Sequence, residues 1–289
     1  ASLLDLYIIP QLGGTRLTEL SRGDIQQFRA TLHRMGKSGH TINSAVHVLS
    51  AAIGAAVQDG LRESNPCIGL KPVPKRPVQR RPIPVAEIEA IRHELVQPRD
   101  RLVVSLLAYA GLRPGEMVGL TWGQVRENTL LIDRSVSVRG GHVKTTKTRA
   151  VRSVPIMSPV QADLSAVRAL DDVSARPDVS TAPVIAGVRG GPIVWANWAA
   201  RVWRPAVKAL GIGDGHPPYA LRHSYVSLLI SAGHDVVQVA AWAGHSVDLC
   251  LKTYAHLFSE RQGMPGEPAE DVILRARHDS SSSSSRKKS

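Results

Sequence analysis

Ala110-Gly-Leu-Arg-Pro-Gly-Glu116, Tyr219-Ala-Leu-Arg-His-Ser224 and Ala243-Gly-His-Ser246, the last followed nine residues beyond His245 by Tyr254, are the segments on which the reading of this chain turns. Each is weak alone, because a single arginine is ordinarily a solvated surface residue. A tyrosine in an unknown helix is ordinarily packing. Between the first two segments lies a strand-rich stretch: Leu130 to Val138 is expected to pair with 142–146 across Gly140-Gly141, and Val151 to Ile156 to continue the sheet. Helices are expected on either side, at about 85–95, 99–111, 159–170, 195–210, 221–232 and 235–243, with a Pro/Gly-containing connection near 171–192. The fold class is therefore mainly α with a small antiparallel β-sheet.

The first 66 residues read as helices only. Leu3 to Ile9 is apolar and is expected to stop at Pro10; Ser21-x-x-Asp24 has capping-box spacing ahead of a helix ending near Gly36. From Thr41 a longer helix puts Ile42, Val46, Leu49, Ile53 and Val57 on one face, and Gly60 ends it. Six prolines then fall between Pro66 and Pro84, and Lys71, Lys75, Arg76, Arg80 and Arg81 appear with no acidic residue from 71 to 81. That composition predicts a stiff basic strap that lies against phosphates, a solvated loop being the plainer alternative. The expected organisation is a helical domain at 1–70, a linker at 71–84, an α+β domain at 85–263 and a tail at 264–289. In the tail Val272-Ile273-Leu274 is expected to dock on a pocket, a neighbouring protomer's being one option, while Ser280 to Ser285 read as low-complexity and disordered.

Charge points to the partner. The 36 Lys and Arg against 24 Asp and Glu leave a net +12, which favours a polyanion through counterion release. Aromatic content of 4% is too sparse for a base-stacking platform, so duplex backbone binding is preferred over single strands. Two cysteines, Cys67 and Cys250, lie far apart and offer neither a disulfide framework nor a zinc knuckle. Despite eleven histidines there is no H-E-x-x-H or Cys/His set, and no metal is expected. No apolar run is read as a membrane span and no signal pattern opens the chain, so a soluble cytoplasmic, nucleoid-associated protein is expected.

Taken together in their order and spacing, with a β-hairpin lysine between them, the three segments resemble the tyrosine site-specific recombinases of the phage integrase family. That family's catalytic domain carries G-L-R-x-x-E, then H-x-L-R-H, then L-G-H followed by the tyrosine. The helical N-terminal part is similar to the family's core-DNA-binding domain, so the resemblance covers nearly the whole chain. It implies cutting and rejoining of double-stranded DNA at attachment-type sites through a phosphotyrosyl bond, with neither metal, cofactor nor ATP. It also implies a homotetramer on DNA, with accessory proteins that bend DNA or set direction as further partners. A phage-type integrase often has another N-terminal domain for arm-type sites; here the chain starts almost at the core-binding helices, as a truncated piece or a simple recombinase would.

The residue types suit that chemistry. A phosphodiester gathers charge on its non-bridging oxygens in the transition state, so a site without metal needs fixed cations. Arg113 and Arg222 are assigned as the phosphate clamp, because planar guanidiniums donate paired hydrogen bonds and stay charged. Tyr254 is assigned as nucleophile; with a reference pKa of about 10, about one phenol in a thousand is ionised at neutral pH, so neighbouring cations must help. The resemblance implies a hairpin lysine as general acid to the leaving sugar oxygen. Lys147, eight residues before Pro155, matches better than Lys144, and both stay in play, Lys144 also as a phosphate contact. It implies too that His223 positions or deprotonates the tyrosine and that His245 hydrogen-bonds the phosphate. Glu116 is expected to brace the arginines. One departure stands out: Tyr219 occupies the position where the family usually has histidine, with His216 three residues earlier, and a phenol can also donate to phosphate. Two other readings share these features. One is an inactive DNA-binding accessory protein of recombinase descent. The other is a topoisomerase that relaxes supercoils without exchanging partners.

Overall fold

A computed structural model describes residues 2–74, 82–138, 143–145, 151–170, 178–188, 190–212, 216–261 and 264–286, the side chains of 143–145 and 283–286 excepted. The chain divides into two compact units, Ala1–Gln79 and Arg80–Ser289.

In the first unit a wide π-type turn, Leu4–Ile8, runs directly into α1 (Ile9–Leu12). The expected stop at Pro10 does not occur, because the proline falls where the wide turn passes into α1, with the Ile9 N–H reaching back to the Leu4 carbonyl, and this widened spacing accommodates a residue that lacks an N–H. Helix α2 (Arg22–Arg34) begins on the foreseen capping box, with Ser21 and Asp24 exchanging side-chain-to-backbone hydrogen bonds. Helix α3 (Gly39–Gln58) buries Ile42, Ala45, Leu49, Ile53 and Ala56, so the apolar stripe centres on alanines beside Val46 and Val57 rather than on the valines themselves. By length and composition α3 could cross a membrane, a property the sequence reading overlooked. Its stripe instead packs with Ile25, Phe28 and Leu32 of α2 in one core.

The start of the basic strap belongs to this unit. Asn43 grips Val73 through two 2.9 Å bonds, Nδ2 donating to its carbonyl and Oδ1 accepting from its N–H, while Arg29 donates to the Lys71 carbonyl at 2.7 Å. At the far end Ile83 is buried in the second unit and donates its N–H to Ser224 Oγ at 2.8 Å. Both described ends of 71–84 are thus tied to a unit: backbone groups of a proline-rich stretch have few partners of their own and take side-chain ones. Lys75, Arg76, Arg80 and Arg81 lie outside the described residues.

The second unit is built around α5 (Pro98–Ala108), whose Leu102, Val103, Val104, Leu106 and Leu107 are all fully buried, as befits a helix covered on every side. Against it lie α4 (Val85–Glu94), α7 (Ser158–Leu170) and α10 (Ala220–Ser231). Helix α6 (Pro114–Gly119) follows α5. The expected single strand from Leu130 to Val138 is two. β1 (Thr129–Ile132) pairs antiparallel with β4 (Arg152–Pro155), and β2 (Arg134–Val136) pairs with β3 (Val143–Thr145). The break is at Asp133, whose carboxylate accepts from Gln124 and Arg134, so side-chain bonds replace the ladder there.

The helix expected over 195–210 is present as one unbroken helical run, α8 (Trp195–Trp198), a wide turn at Ala199–Trp203 and α9 (Arg204–Ala209), widened in its middle. Then come α11 (Val236–Ala243), α12 (Val247–Arg261) and α13 (Ala269–Arg286). The disorder expected of the serine run is corrected: α13 includes it, with Ser280 Oγ donating to the Ala276 carbonyl and Ser281 and Ser282 to that of His278. The helix is anchored upstream, where Ile273 is fully buried in the core of its own chain and Arg277 pairs with Glu89 and Asp163.

Candidate active site

Four elements of the second unit bring the polar residues together. Gly111 has φ +62°, and a Cβ there would come within 2.1 Å of the Tyr225 ring, so only glycine allows the chain to turn from α5 into α6 against α10. That turn sets Arg113 at the N-cap of α6. The Glu116 carboxylate accepts the Arg113 N–H and its Nη1, each at 2.8 Å, while Arg113 Nη2 donates to the Gly244 carbonyl at 2.6 Å. About 40% of the Arg113 side chain stays exposed, leaving donors that face solvent.

Arg222 lies on α10 and is only 2% exposed, with its two terminal nitrogens donating to the carbonyls of Gly111 and Ala243. Its buried Nε makes no hydrogen bond among the described residues. Burial first, then the charge of Arg113, lowers its pKa to about 10, which still leaves it cationic at neutral pH.

At the end of α11, Gly244 adopts the left-handed conformation, φ 62° and ψ 45°, closing the helix and turning His245 back with its N–H on the Ala240 carbonyl at 2.9 Å. Burial and the cations Arg222 and Arg113 push the His245 imidazole down to about 4, so it is neutral at pH 7, and its buried Nδ1 has no hydrogen-bond partner among the described residues. Helix α12 carries Tyr254, 5% exposed and packed with Tyr225, Val226, Leu229 and Cys250. Its hydroxyl lies 2.6 Å from Nδ1 of His223, one residue beyond Arg222. A phenol donating to that nitrogen requires the imidazole's other proton on Nε2.

Arg113, Arg222, His223, His245 and Tyr254 are thus brought together in the second unit. Tyr219, at the N-cap of α10, places its ring edge-on to His223 at 5.9 Å between centroids, and its hydroxyl makes no hydrogen bond to the described residues. Lys147 lies outside the described residues; Lys144 falls on β3 opposite Ser135, its side chain not described. Lys71 is exposed in the first unit.

One residue was missed. Arg152, at the start of β4, makes a two-pronged bond to Glu116, Nη1 to Oε1 at 3.0 Å and Nη2 to Oε2 at 2.7 Å, and donates Nε to the Trp242 carbonyl at 3.0 Å. Burial works to raise the Glu116 carboxyl, but the hydrogen bonds and charge of Arg152, helped by the N–H and charge of Arg113, override it and hold the carboxyl at about 2. Strand alternation carried a signal. Arg152 shares a face with buried Val154, where a charge needs a buried partner.

Residues 83–261 match the phage integrase family. The chain belongs to that family. Its relatives include the tyrosine recombinase XerC of Methylobacterium sp. (strain 4-46), 29% identical over 263 residues that cover 85% of this chain and 76% of that protein. XerC of Xylella fastidiosa (strain 9a5c) is 29% identical over 248 residues, covering 82% and 77% respectively. In fold this phage integrase family member resembles the Tn1549 transposon integrase in complex with transposon right end DNA, with a TM-score of 0.72 at 20% identity over 91% of both chains. It also resembles a lambda integrase dimer bound to a COC′ core site, with a TM-score of 0.63 at 17% identity over 90% of this chain and 87% of that one. The protein is thus a tyrosine recombinase, and the residues of its three family segments meet in one place.

Proposed function

We propose that this recombinase cleaves and rejoins duplex DNA through a covalent bond between Tyr254 and the scissile phosphate. The observation that carries the reading is the 2.6 Å contact between the Tyr254 hydroxyl and His223 Nδ1, beside a cluster of three guanidiniums and one carboxylate. His223 accepts the phenol's proton as Tyr254 oxygen attacks phosphorus. The phosphorus–oxygen bond to the leaving sugar breaks, and that oxygen takes a proton from Lys147, with Lys144 as the alternative donor. Arg113, with the charge of buried Arg222 behind it, holds the charge gathering on the non-bridging oxygens, and neutral His245 adds a hydrogen bond. Because the phosphotyrosyl link conserves the ester's energy, rejoining is the reversal with a new hydroxyl, and neither ATP nor a metal enters the scheme.

The working form we infer is a homotetramer on two attachment-type sites in the cytoplasm, at the nucleoid, with DNA-bending or directionality proteins as further partners. Lambda integrase supports this by likeness, having been solved as a tetramer bound to a Holliday junction. Lys71, Lys75, Arg76, Arg80, Arg81 and Lys144 are proposed to lie on the DNA backbone.

A suicide duplex nicked beside the scissile phosphate tests the reading. Wild type should be trapped on DNA, while Tyr254→Phe should form no covalent complex and bind almost as tightly, one hydroxyl being lost among many phosphate contacts. Equal trapping by both would place the nucleophile elsewhere. Binding by wild type with no trapping at all would favour the accessory-protein reading, for which Tyr219 in the histidine position is the motivating departure.

A further inference from the structure

We propose that Arg152 is a positioning residue for strand cleavage, holding Arg113 and the Gly244–His245 turn in register; this rests on the cleavage reading above. Its guanidinium closes a ring of contacts. Nη1 and Nη2 take both oxygens of Glu116, Glu116 takes the Nη1 and N–H of Arg113, Arg113 Nη2 takes the Gly244 carbonyl, and Arg152 Nε returns to the Trp242 carbonyl two residues upstream. Gly244 sits directly on it: a Cβ at that position would stand 2.9 Å from Arg152 Nη1.

Only 11% of the Arg152 side chain is exposed and its donors are directed at protein acceptors, so it acts through its neighbours and not on DNA. The chemistry favours arginine over any other residue there. A planar fork spans two carboxylate oxygens while its third nitrogen reaches a carbonyl at a fixed angle; an ammonium is a single point of charge and cannot do both. A cation is also an expensive choice for mere packing beside Arg113 and Arg222, since like charges repel in a site poor in water. What the arrangement gains is a fixed Arg113. Without Arg152, Glu116 keeps one cationic partner and the Gly244 turn loses the surface it rests on. Position along the chain adds a third tie: Arg152 opens β4, registered against Ile132 of β1, five residues after Lys147. The same side chain therefore secures the strand that follows the lysine segment to the arginine cluster.

The experiment compares wild type, Arg152→Lys and Arg152→Ala for single-turnover cleavage of the nicked duplex, DNA affinity and thermal unfolding. Arg152→Ala should lose on the order of a hundredfold in cleavage rate, the cost expected when a group far from the reacting bond lets the site shift by about an ångström. Its DNA affinity should remain within about threefold, because the backbone contacts are unaltered. Millimolar guanidinium ion added to Arg152→Ala should recover part of the rate, and Arg152→Lys, which keeps the charge, should lose only about tenfold. Should the alanine variant fail to fold, the lysine variant decides: a wild-type rate in folded Arg152→Lys overturns the proposal. So does Arg152→Ala cleaving like wild type, or losing affinity in step with rate with no response to guanidinium. If wild type itself forms no covalent complex, the cleavage reading falls, and the positioning role with it.

Discussion

Two buried clusters of charge in the second unit invite comparison. One joins Arg113, Arg152, Arg222 and Glu116, three cations to one carboxylate. The other joins Glu89 and Arg92 of α4, Asp163 of α7 and Arg277 of α13, two cations to two carboxylates, completed by Tyr109 donating to Glu89 and Ser105 to Asp163, each at 2.6 Å. The second is closed: its charges cancel in place and it pins four helices, α13 among them. The first is left open by design of its charge. Holding two buried guanidiniums and a part-exposed third around one carboxylate is costly unless an anion arrives, and a phosphodiester supplies one. Charge balance, more than burial or hydrogen-bond count, separates the two.

The contrast can be broken by removing one member from each. Glu89→Ala leaves the two buried guanidiniums of Arg92 and Arg277 to share Asp163 alone, and the Tyr109 hydroxyl without its acceptor, and should cost about 3–5 kcal/mol in denaturant unfolding. In protein that remains folded, cleavage rate should scarcely change. Arg113→Ala should do the reverse, slowing single-turnover cleavage by on the order of a hundredfold or more through lost charge stabilisation while lowering stability far less. If the Glu89 variant proved as damaging to chemistry as to stability, the distinction between the clusters would collapse.

Acid should expose the open cluster as well. The Glu116 carboxyl is held at about 2 against an ordinary 4.5, so the stability it contributes is fully present above about pH 4.5 and is lost as the pH falls through about 2. His245, kept neutral with its pKa at about 4 against 6.5, binds its proton more readily in the unfolded chain; its contribution is present above about pH 6.5 and wanes as the pH falls toward 4. Both slopes have the same sign. Unfolding free energy measured from pH 7 to 3 should fall throughout, with Glu116 alone accounting for about 2 kcal/mol by the end of that window, and His245→Asn should flatten the upper part of the curve. A variant curve superimposable on wild type would mean that His245 is not held neutral by this cluster.

Much of this arrangement was legible beforehand, and the failures have physical causes. Arg113, Arg222, His223, His245 and Tyr254 could be placed because short segments with local turn chemistry carry them: Gly111 and Gly244 each require a left-handed backbone that fixes the next side chains. Arg152 escaped notice because strand alternation hints only that it is partly buried, while its partners Glu116 and Trp242 lie 36 and 90 residues away and no local pattern names them. The split of the strand at Asp133 and the helical serine run were misread for a related reason. Composition and local propensity are weak priors that tertiary anchors override, here the Gln124–Asp133 bond and the Arg277 ion pairs.

The smallest expected effect concerns Tyr219, on the edge of the open cluster. Its ring stands edge-on to His223 and its hydroxyl makes no hydrogen bond to the described residues, which leaves that hydroxyl able to donate to a phosphate oxygen as the family's histidine would. A hydrogen bond to a charged acceptor is worth roughly 1.5–3 kcal/mol, so Tyr219→Phe should slow cleavage by about tenfold to a hundredfold. Tyr219→His should keep much of the activity, since an imidazole offers the same donor. A tyrosine that serves only to pack against His223 predicts the opposite order, because phenylalanine preserves the ring edge and histidine shrinks it. Single-turnover cleavage by the two variants therefore separates the roles. Full activity in the phenylalanine variant with loss in the histidine variant would leave the open cluster to its arginines and His245, and would make Tyr219 a wall of the site rather than one of its donors.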